Sequence, residues 1–362
     1  MKIFLKTIEN KLALAGFIFI FLCLFISIPG YLITPDSTPM ANDMHLEVAK
    51  RKPGFKALYF KKKLSESRDK SGWFHTMLHG KELDYDAIYL KGNDGGISNL
   101  NIELISSEMD QIDAERFEQF VSSYLFGENL SGDWPLETRT YFFGTDRFGN
   151  DLLSRMMIGT RVSLSVGFIS VFISFIIGTF LGLVAGYYRG WVDKAVMWLV
   201  NVIWSLPTLL LVVALTFALG KGFWQIFVAV GLSMWVELAR IVRGQVLSLR
   251  EQEYVQAAQV MGFSNTRILW KHILPNISGP IIVICAANFA SAILLEAGLS
   301  FLGLGVQPPM PSWGQILKDH FTSIVWGYEY LSLIPGVAIM LLVMSFNFIG
   351  TGLRDALDVK MD

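Results

Sequence analysis

VSLSVGFISVFISFIIGTFLGLVAGY, residues Val162–Tyr187, is an apolar run of the length a tilted helix needs to cross the hydrocarbon core of a bilayer. Four more runs of that kind follow: Ala195–Leu219, Phe223–Ala239, Ile277–Leu302 and Leu331–Leu353. Another, Leu12–Ile33, precedes them behind Lys2, Lys6 and Lys11. A secretory signal opens in the same way, but its apolar core is shorter, about 7–15 residues. Leu12–Ile33 also lacks a small-x-small site directly after it, so it is expected to stay as a transmembrane helix. Six crossings predict an all-α polytopic membrane protein with both termini on one side.

Lysine and arginine indicate which side that is. With the N-terminus inside, the short inside segments add Arg189, Lys194, Arg240, Arg243, Arg250, Arg267, Lys271, Arg354 and Lys360 to the three N-terminal lysines. The short outside segments carry only Lys221 and Lys318. This positive-inside asymmetry puts both termini in the cytoplasm. The first loop is then outside despite Lys50, Arg51, Lys52 and Lys61–Lys63, because long loops translocate largely regardless of charge.

The chain has 362 residues, 52% of them hydrophobic, with a mean hydropathy of +0.46. That intermediate value reflects a very apolar C-terminal half diluted by a polar stretch from Asp36 to Arg161. A net charge of −1 gives no basic field for nucleic acid. Cys23 and Cys285 both sit in apolar runs, as packing residues do. Between Asp36 and Tyr141 the sequence mixes charge with Trp73, Phe74, Tyr85, Tyr89, Phe117, Phe120, Tyr124 and Trp134, and Ile112–Phe126 has helical spacing. A small extracytoplasmic domain is expected there. The basic cluster Lys50–Lys70 reads as a solvated face or a contact for anionic headgroups. His75 and His79 have the spacing of a helical metal pair but no third ligand nearby, so they read as a surface coincidence.

Catalytic machinery is sparse. Gly80-Lys81 is followed by Glu82, and Gly220-Lys221 by Gly222, so neither completes a phosphate-binding loop. There is no H-E-x-x-H, no C-x-x-C and no nucleophile elbow. No catalytic residue, metal site or bound nucleotide is therefore expected on this chain. Ionisable residues in the spans are few. Glu296 lies toward the outer end of the fifth span, and Glu237 and Arg240 stand three apart near the inner end of the fourth, spaced to pair. An ion-coupled secondary carrier usually has more. Gly178, Gly182 and Gly186 recur every fourth residue and permit close helix approach, either as a sliding interface or as ordinary tight packing.

The most patterned polar segment is Arg240–Asn276. Glu251–Met261 reads as a short helix with Tyr254, Val255 and Ala258 on one side and small residues at Ala257 and Ala258. Gly262 stops it, Ser264 caps a second short helix through Ile268, Leu269 and Trp270, and Pro275 sits near that helix's end. Two short helices hinged at a glycine can press an apolar face into a groove on a cytoplasmic partner.

At these residues the sequence resembles the permeases of ABC importers. Glu253-Tyr254-Val255-Gln256-Ala257-Ala258, then Gly262, then His272-Ile273-Leu274-Pro275-Asn276 is similar to their EAA loop, with Gln256 where many have glutamate. Gly144-Thr145-Asp146-Arg147-Phe148-Gly149-Asn150-Asp151, continuing to Ser154-Arg155, resembles a signature of the dipeptide, oligopeptide and nickel branch, with Asn150 in place of the usual arginine. Gly186-Tyr187-Tyr188-Arg189-Gly190 continues the pattern, with Arg189 where glycine is frequent. Glu296-Ala297-Gly298-Leu299-Ser300-Phe301-Leu302-Gly303-Leu304-Gly305, then Pro308-Pro309 and Pro311-Ser312-Trp313-Gly314, resembles the C-type permease of the peptide importers.

The resemblance implies the type I importer permease fold, with an enlarged extracytoplasmic loop between helices 1 and 2. It divides the chain into 1–35 (N-terminus and first helix), 36–160 (loop), 161–354 (permease domain with a coupling loop at 240–276) and 355–362 (tail). It implies a bacterial inner-membrane location, a second homologous permease, two ATPase subunits that carry ATP and Mg, a solute-binding protein and a peptide cargo. A nickel importer of the same branch would share nearly every motif.

Overall fold

The computed structural model describes residues 2–63, 72–89, 136–220 and 222–358. The helix expected over Ile112–Phe126, the aromatics Phe117, Phe120, Tyr124 and Trp134, and Lys70, Lys221 and Lys360 lie outside the described residues. The chain is mostly helical: α1 (Lys2–Glu9), α2 (Lys11–Ser27), α3 (Trp73–His79), α4 (Leu152–Tyr188), α5 (Gly190–Trp204), α6 (Thr208–Leu219), α7 (Phe223–Arg250), α8 (Glu253–Val260), α9 (Asn265–Ile268), α10 (Leu274–Phe301), α11 (Trp313–His320) and α12 (Tyr330–Asp358). Three strands, β1 (Phe55–Lys63), β2 (Tyr85–Tyr89) and β3 (Leu136–Tyr141), correct the all-α expectation.

Among the described residues, four helical stretches are long and apolar enough to span a membrane: α4, α7, Asn265–Phe301 and Tyr330–Leu357. Two expected spans differ. The run Ala195–Leu219 is broken into α5 and α6, bent by 96°. Pro207 sits at the break; it has no backbone N–H to donate and disfavours helical geometry at Leu206. The run Leu12–Ile33 is α-helical only to Ser27, because Pro29 and Gly30 (φ 43°) follow and a single 3-10 turn, Gly30–Leu32, takes over. Its 17 residues reach about 25 Å, short of the roughly 30 Å core.

The chain divides into two compact units. The first comprises Met1–Phe25, Thr160–Lys318 and Pro335–Asp362. Its central element is α7, which supplies three apolar clusters. Leu238, Val242 and Val246 pack with Leu183, Tyr187, Val255, Ile268 and Ile277. Ile226, Phe227 and Val230 pack with Val162, Val212, Leu299 and Val306. Trp235, Val236 and Ala239 pack around Val200.

The glycine stripe of α4 lies against α7. A Cβ on Gly178 would fall 2.7 Å from the Trp235 carbonyl oxygen. On Gly182 it would fall 2.6 Å from that of Ala239, and on Gly186 2.9 Å from that of Arg243. The two helices thus keep step, four residues at a time, at a separation only glycine permits.

The second unit comprises Ile26–Gly159 and Asp319–Ile334. It contains the antiparallel sheet, ordered β2-β1-β3, with Tyr59 opposite Tyr89 and Phe55 opposite Tyr141. Alternation along β1 turns Ala57 and Tyr59 onto the face that buries Val48, Ala87, Tyr89 and Tyr141. Tyr89 and Tyr141 share a hydrogen bond at 2.7 Å, which satisfies both buried hydroxyls.

Replacing Gly182 with leucine is expected to force α4 from α7, costing about 1–3 kcal/mol as overpacking does, and to lower the melting temperature of the detergent-purified protein. An unchanged melting temperature would contradict this packing.

Candidate functional site

The segment after α7 folds around one glycine. Gly262 has φ 77° and donates to the Gln259 carbonyl at 3.0 Å, while Phe263 donates to that of Ala258 at 3.1 Å. These paired bonds close a Schellman cap on α8. The Ser264 hydroxyl then accepts from the Arg267 N–H at 3.4 Å and starts α9.

The second short helix does not stand alone. It passes through a π turn, Leu269–Ile273, directly into α10. Pro275 therefore lies in the first turn of α10 rather than at the end of a separate helix. Having no N–H, it cannot bond to the Lys271 carbonyl, and the wider π turn falls at that gap. Asn276 Nδ2 donates to the His272 carbonyl at 2.6 Å within the same turn.

The loop has two faces. Val255, Ala258, Ile268, Leu269 and Ile273 are buried against Val246 and Tyr187, with Leu274 packed beside them. Glu253, Ala257 and Gly262 are exposed. Tyr254 is 42% exposed, its hydroxyl accepting from Asn276 Nδ2 at 3.2 Å. His272 stacks on Phe263, with ring centroids 6.0 Å apart. Ala258 thus packs inward, and Ala257 is the small residue left on the surface. Val260 (89% exposed), Met261 (64%) and Trp270 (61%) are apolar residues exposed on this loop. Of these, Val260 and Met261 were missed by the sequence reading; their position just before the stop glycine was the available signal.

Polar contacts fix this loop to the end of α4. Arg189 Nη2 meets Glu251 Oε1 at 2.5 Å, and Arg250 Nη1 donates to the Tyr187 carbonyl at 2.7 Å. The Tyr187 hydroxyl donates to Asn265 Oδ1 at 2.9 Å. Arg243 clamps both carboxylate oxygens of Asp193, at 2.5 and 2.6 Å. Arg189 has φ 59°, a conformation that favours glycine.

A second group closes the end of α10. The Glu296 carboxylate is buried and accepts from the hydroxyls of Ser300 and Ser312, each at 2.8 Å. Gly303 (φ 82°) ends the helix, and Ser312 Oγ also accepts from the Gln315 N–H at 3.1 Å, capping α11. A Cβ on Gly314 would fall 2.7 Å from Ala297 Cα, and one on Gly305 would collide with Ser300. Trp313 is buried beside them, Pro308 is exposed, and Gly298 has room for a side chain. This group is an internal clasp with Glu296 at its centre.

The third group belongs to the second unit. Asp146 Oδ1 accepts from the N–H groups of Phe148 and Asn150 at 2.8 and 3.0 Å, and Oδ2 from Asn150 Nδ2 at 2.9 Å. Arg155 lies 3.8 Å away. Thr145 Oγ1 donates to the Val48 carbonyl and accepts from Arg51 N–H, while Ser154 Oγ bonds to Asp151 and accepts from Asp36 N–H at 2.9 Å. Gly144 and Gly149 pass so close to the carbonyls of Arg51 and His45 that no side chain fits. Burial pushes the carboxyls of Asp36 and Asp151 above their usual range. Asp43 is also desolvated, but hydrogen bonds and charge from His45 and Arg139 hold its carboxyl below it. Here the signature latches residues 36–51 to the start of α4.

Two remaining expectations concern pairs. Arg240 Nη2 donates to Asn201 Oδ1 at 3.2 Å, so it does not pair with Glu237. His75 and His79 stack with centroids 4.8 Å apart on α3; among the described residues no three His, Cys, Asp or Glu form a metal-sized group.

Residues 178–362 match the model of the family described as binding-protein-dependent transport system inner membrane component. The chain belongs to that family. It is similar to the dipeptide transport system permease protein DppC of Alkalihalophilus pseudofirmus, 44% identical over 221 residues, covering 61% of this chain and 72% of that one. The oligopeptide transport system permease protein OppC of Haemophilus influenzae is 43% identical over 232 residues, 64% of this chain and 74% of that one. The glutathione transport system permease protein GsiD of Pectobacterium atrosepticum is 41% identical over 221 residues, 61% and 73%. With four or more apolar helices of spanning length, the chain is a multi-pass membrane transport component.

Glu296→Ala would take from the buried Ser300 and Ser312 hydroxyls the acceptor they share, and is expected to destabilise the purified protein by about 1–3 kcal/mol. Glu296→Gln keeps an acceptor and should lower the melting temperature less. Equal losses from the two variants would contradict the clasp.

Proposed function

We propose that this chain is a transmembrane permease subunit of an ATP-binding-cassette importer that carries di- and oligopeptides across the bacterial cytoplasmic membrane. The observation that carries this reading is the hinged loop α8–Gly262–α9. Apolar Val260, Met261 and Trp270 are exposed on a segment whose Val255, Ala258, Ile268 and Ile273 are locked into the core. An exposed patch of that kind fits a partner's groove. The names of the similar permeases, dipeptide, oligopeptide and glutathione, support a peptide cargo over nickel.

In this reading, six crossings place both termini in the cytoplasm and residues 36–160 outside. The short α2 and the bent pair α5–α6 supply the two crossings beyond the four long stretches. A second homologous permease completes the pore. Two ATPase subunits, which hold ATP and Mg, grip the α8–α9 loops, and a solute-binding protein delivers cargo from outside. Nucleotide closure of the ATPases drags the loops and biases the pore between its two accessible states. The chain performs no chemistry itself.

Gly262 is the point where the drag enters α10. A Cβ there would meet nothing within 4 Å, so a substitution acts through the backbone alone. Gly262→Val opposes the left-handed conformation, and peptide uptake per ATP hydrolysed in proteoliposomes is expected to fall by about tenfold, the equivalent of 1–2 kcal/mol of strain. Gly262→Asn tolerates that conformation and should stay near the parent value. An unchanged ratio in Gly262→Val would contradict the coupling role.

A further inference from the structure

Glu237 is the one side chain on α7 between Trp224 and Gly244 that is exposed; its neighbours Val236, Leu238 and Ala239 are 3%, 0% and 1% exposed. The sequence reading placed it near the inner end of a span. In the structure α7 continues to Arg250, so Glu237 lies about 21 Å from the first residue of the helix and about 20 Å from the last. It is therefore at mid-helix, with Arg240, Arg243 and Arg250 all on its C-terminal side.

One turn away is Arg240, whose side chain is drawn across to α5. Its guanidinium lies 3.5 Å from the centroid of the Trp204 ring and donates to Asn201 Oδ1 at 3.2 Å. Its buried Nε has no partner among the described residues. Trp204 ends α5 at the bend before Pro207, so this cation is held at the break in the α5–α6 pair. Two opposite charges thus stand three residues apart without neutralising each other, and Glu237 has no ion pair or hydrogen bond among the described residues. An exposed carboxylate of this kind suits a solute that carries its own cation.

We propose that Glu237, with Arg240 tethered beside it, is a substrate station of the translocation path, where the carboxylate receives the terminal ammonium of the peptide in passage. This rests on the importer reading above. Arg240 is a positioning residue: held by Asn201 and Trp204, it is kept from occupying the carboxylate.

The test uses the assembled transporter with its binding protein in proteoliposomes, supplied with one peptide in two forms, free at its N-terminus and N-acetylated. The readout is the ratio of the two uptake rates within each preparation, which cancels differences in yield and in binding-protein preference. Glu237→Gln is expected to lower the free-to-acetylated ratio by about tenfold, as loss of a charge-assisted hydrogen bond does. Glu237→Asp should retain most of the ratio. An unchanged ratio in Glu237→Gln, including the case where both rates drop together because Glu237 pairs with the other permease, overturns the station while leaving the importer reading intact. Failure of the parent complex to take up either form overturns the importer reading and the station with it.

Discussion

The backbone of α7 rests directly on α4, and most of the first unit follows from that contact. Gly178, Gly182 and Gly186 meet the carbonyls of Trp235, Ala239 and Arg243 in matched steps of four. In a bilayer, helices gain little by leaving lipid, and association depends on such close packing. With α7 seated there, its other surfaces bury Val200, Val212 and Ile277 in three separate clusters. Its C-terminal end carries α8 to a fixed place beside Tyr187. The α8–α9 loop is thereby buried at its root, with Val260 and Met261 exposed.

Charge is used differently in each part of the molecule. Around the loop, Arg189, Arg243 and Arg250 each have a partner on another element, so they act as fasteners. Glu296 is fastened internally by two serines. The second unit buries several carboxylates within a latch that holds residues 36–51. Glu237 is different: at mid-helix on α7 it is exposed among buried neighbours.

Much of this was legible in the sequence. Long apolar runs marked α4, α7, α10 and α12, the four-residue spacing of glycines marked the contact face, and Gly262 with Ser264 marked the hinge. What could not be read was local competition within apolar runs. Pro207 and the Pro29-Gly30 pair each interrupt a run whose hydropathy continues smoothly through them, so a span was expected where the backbone bends or stops. Pro275 looked like a terminator, yet it falls in the first turn of α10, where a missing N–H is tolerated. The sheet was hidden because its strands are separated by long stretches, and only the pairing of Tyr59 with Tyr89 and Phe55 with Tyr141 makes them visible. The spacing of Glu237 and Arg240 allows them to pair, but the fold brings Trp204 and Asn201 to Arg240 instead.

The central claim is that this chain moves solute only as part of a larger assembly driven by ATP. The most direct test is to purify it from its native membrane, identify what accompanies it, and measure solute movement in liposomes with and without nucleotide. The account predicts recovery of a second permease and P-loop ATPases, with ATP-dependent peptide uptake stimulated by a binding protein. Recovery of the chain alone, moving solute under an ion gradient without ATP, would contradict it.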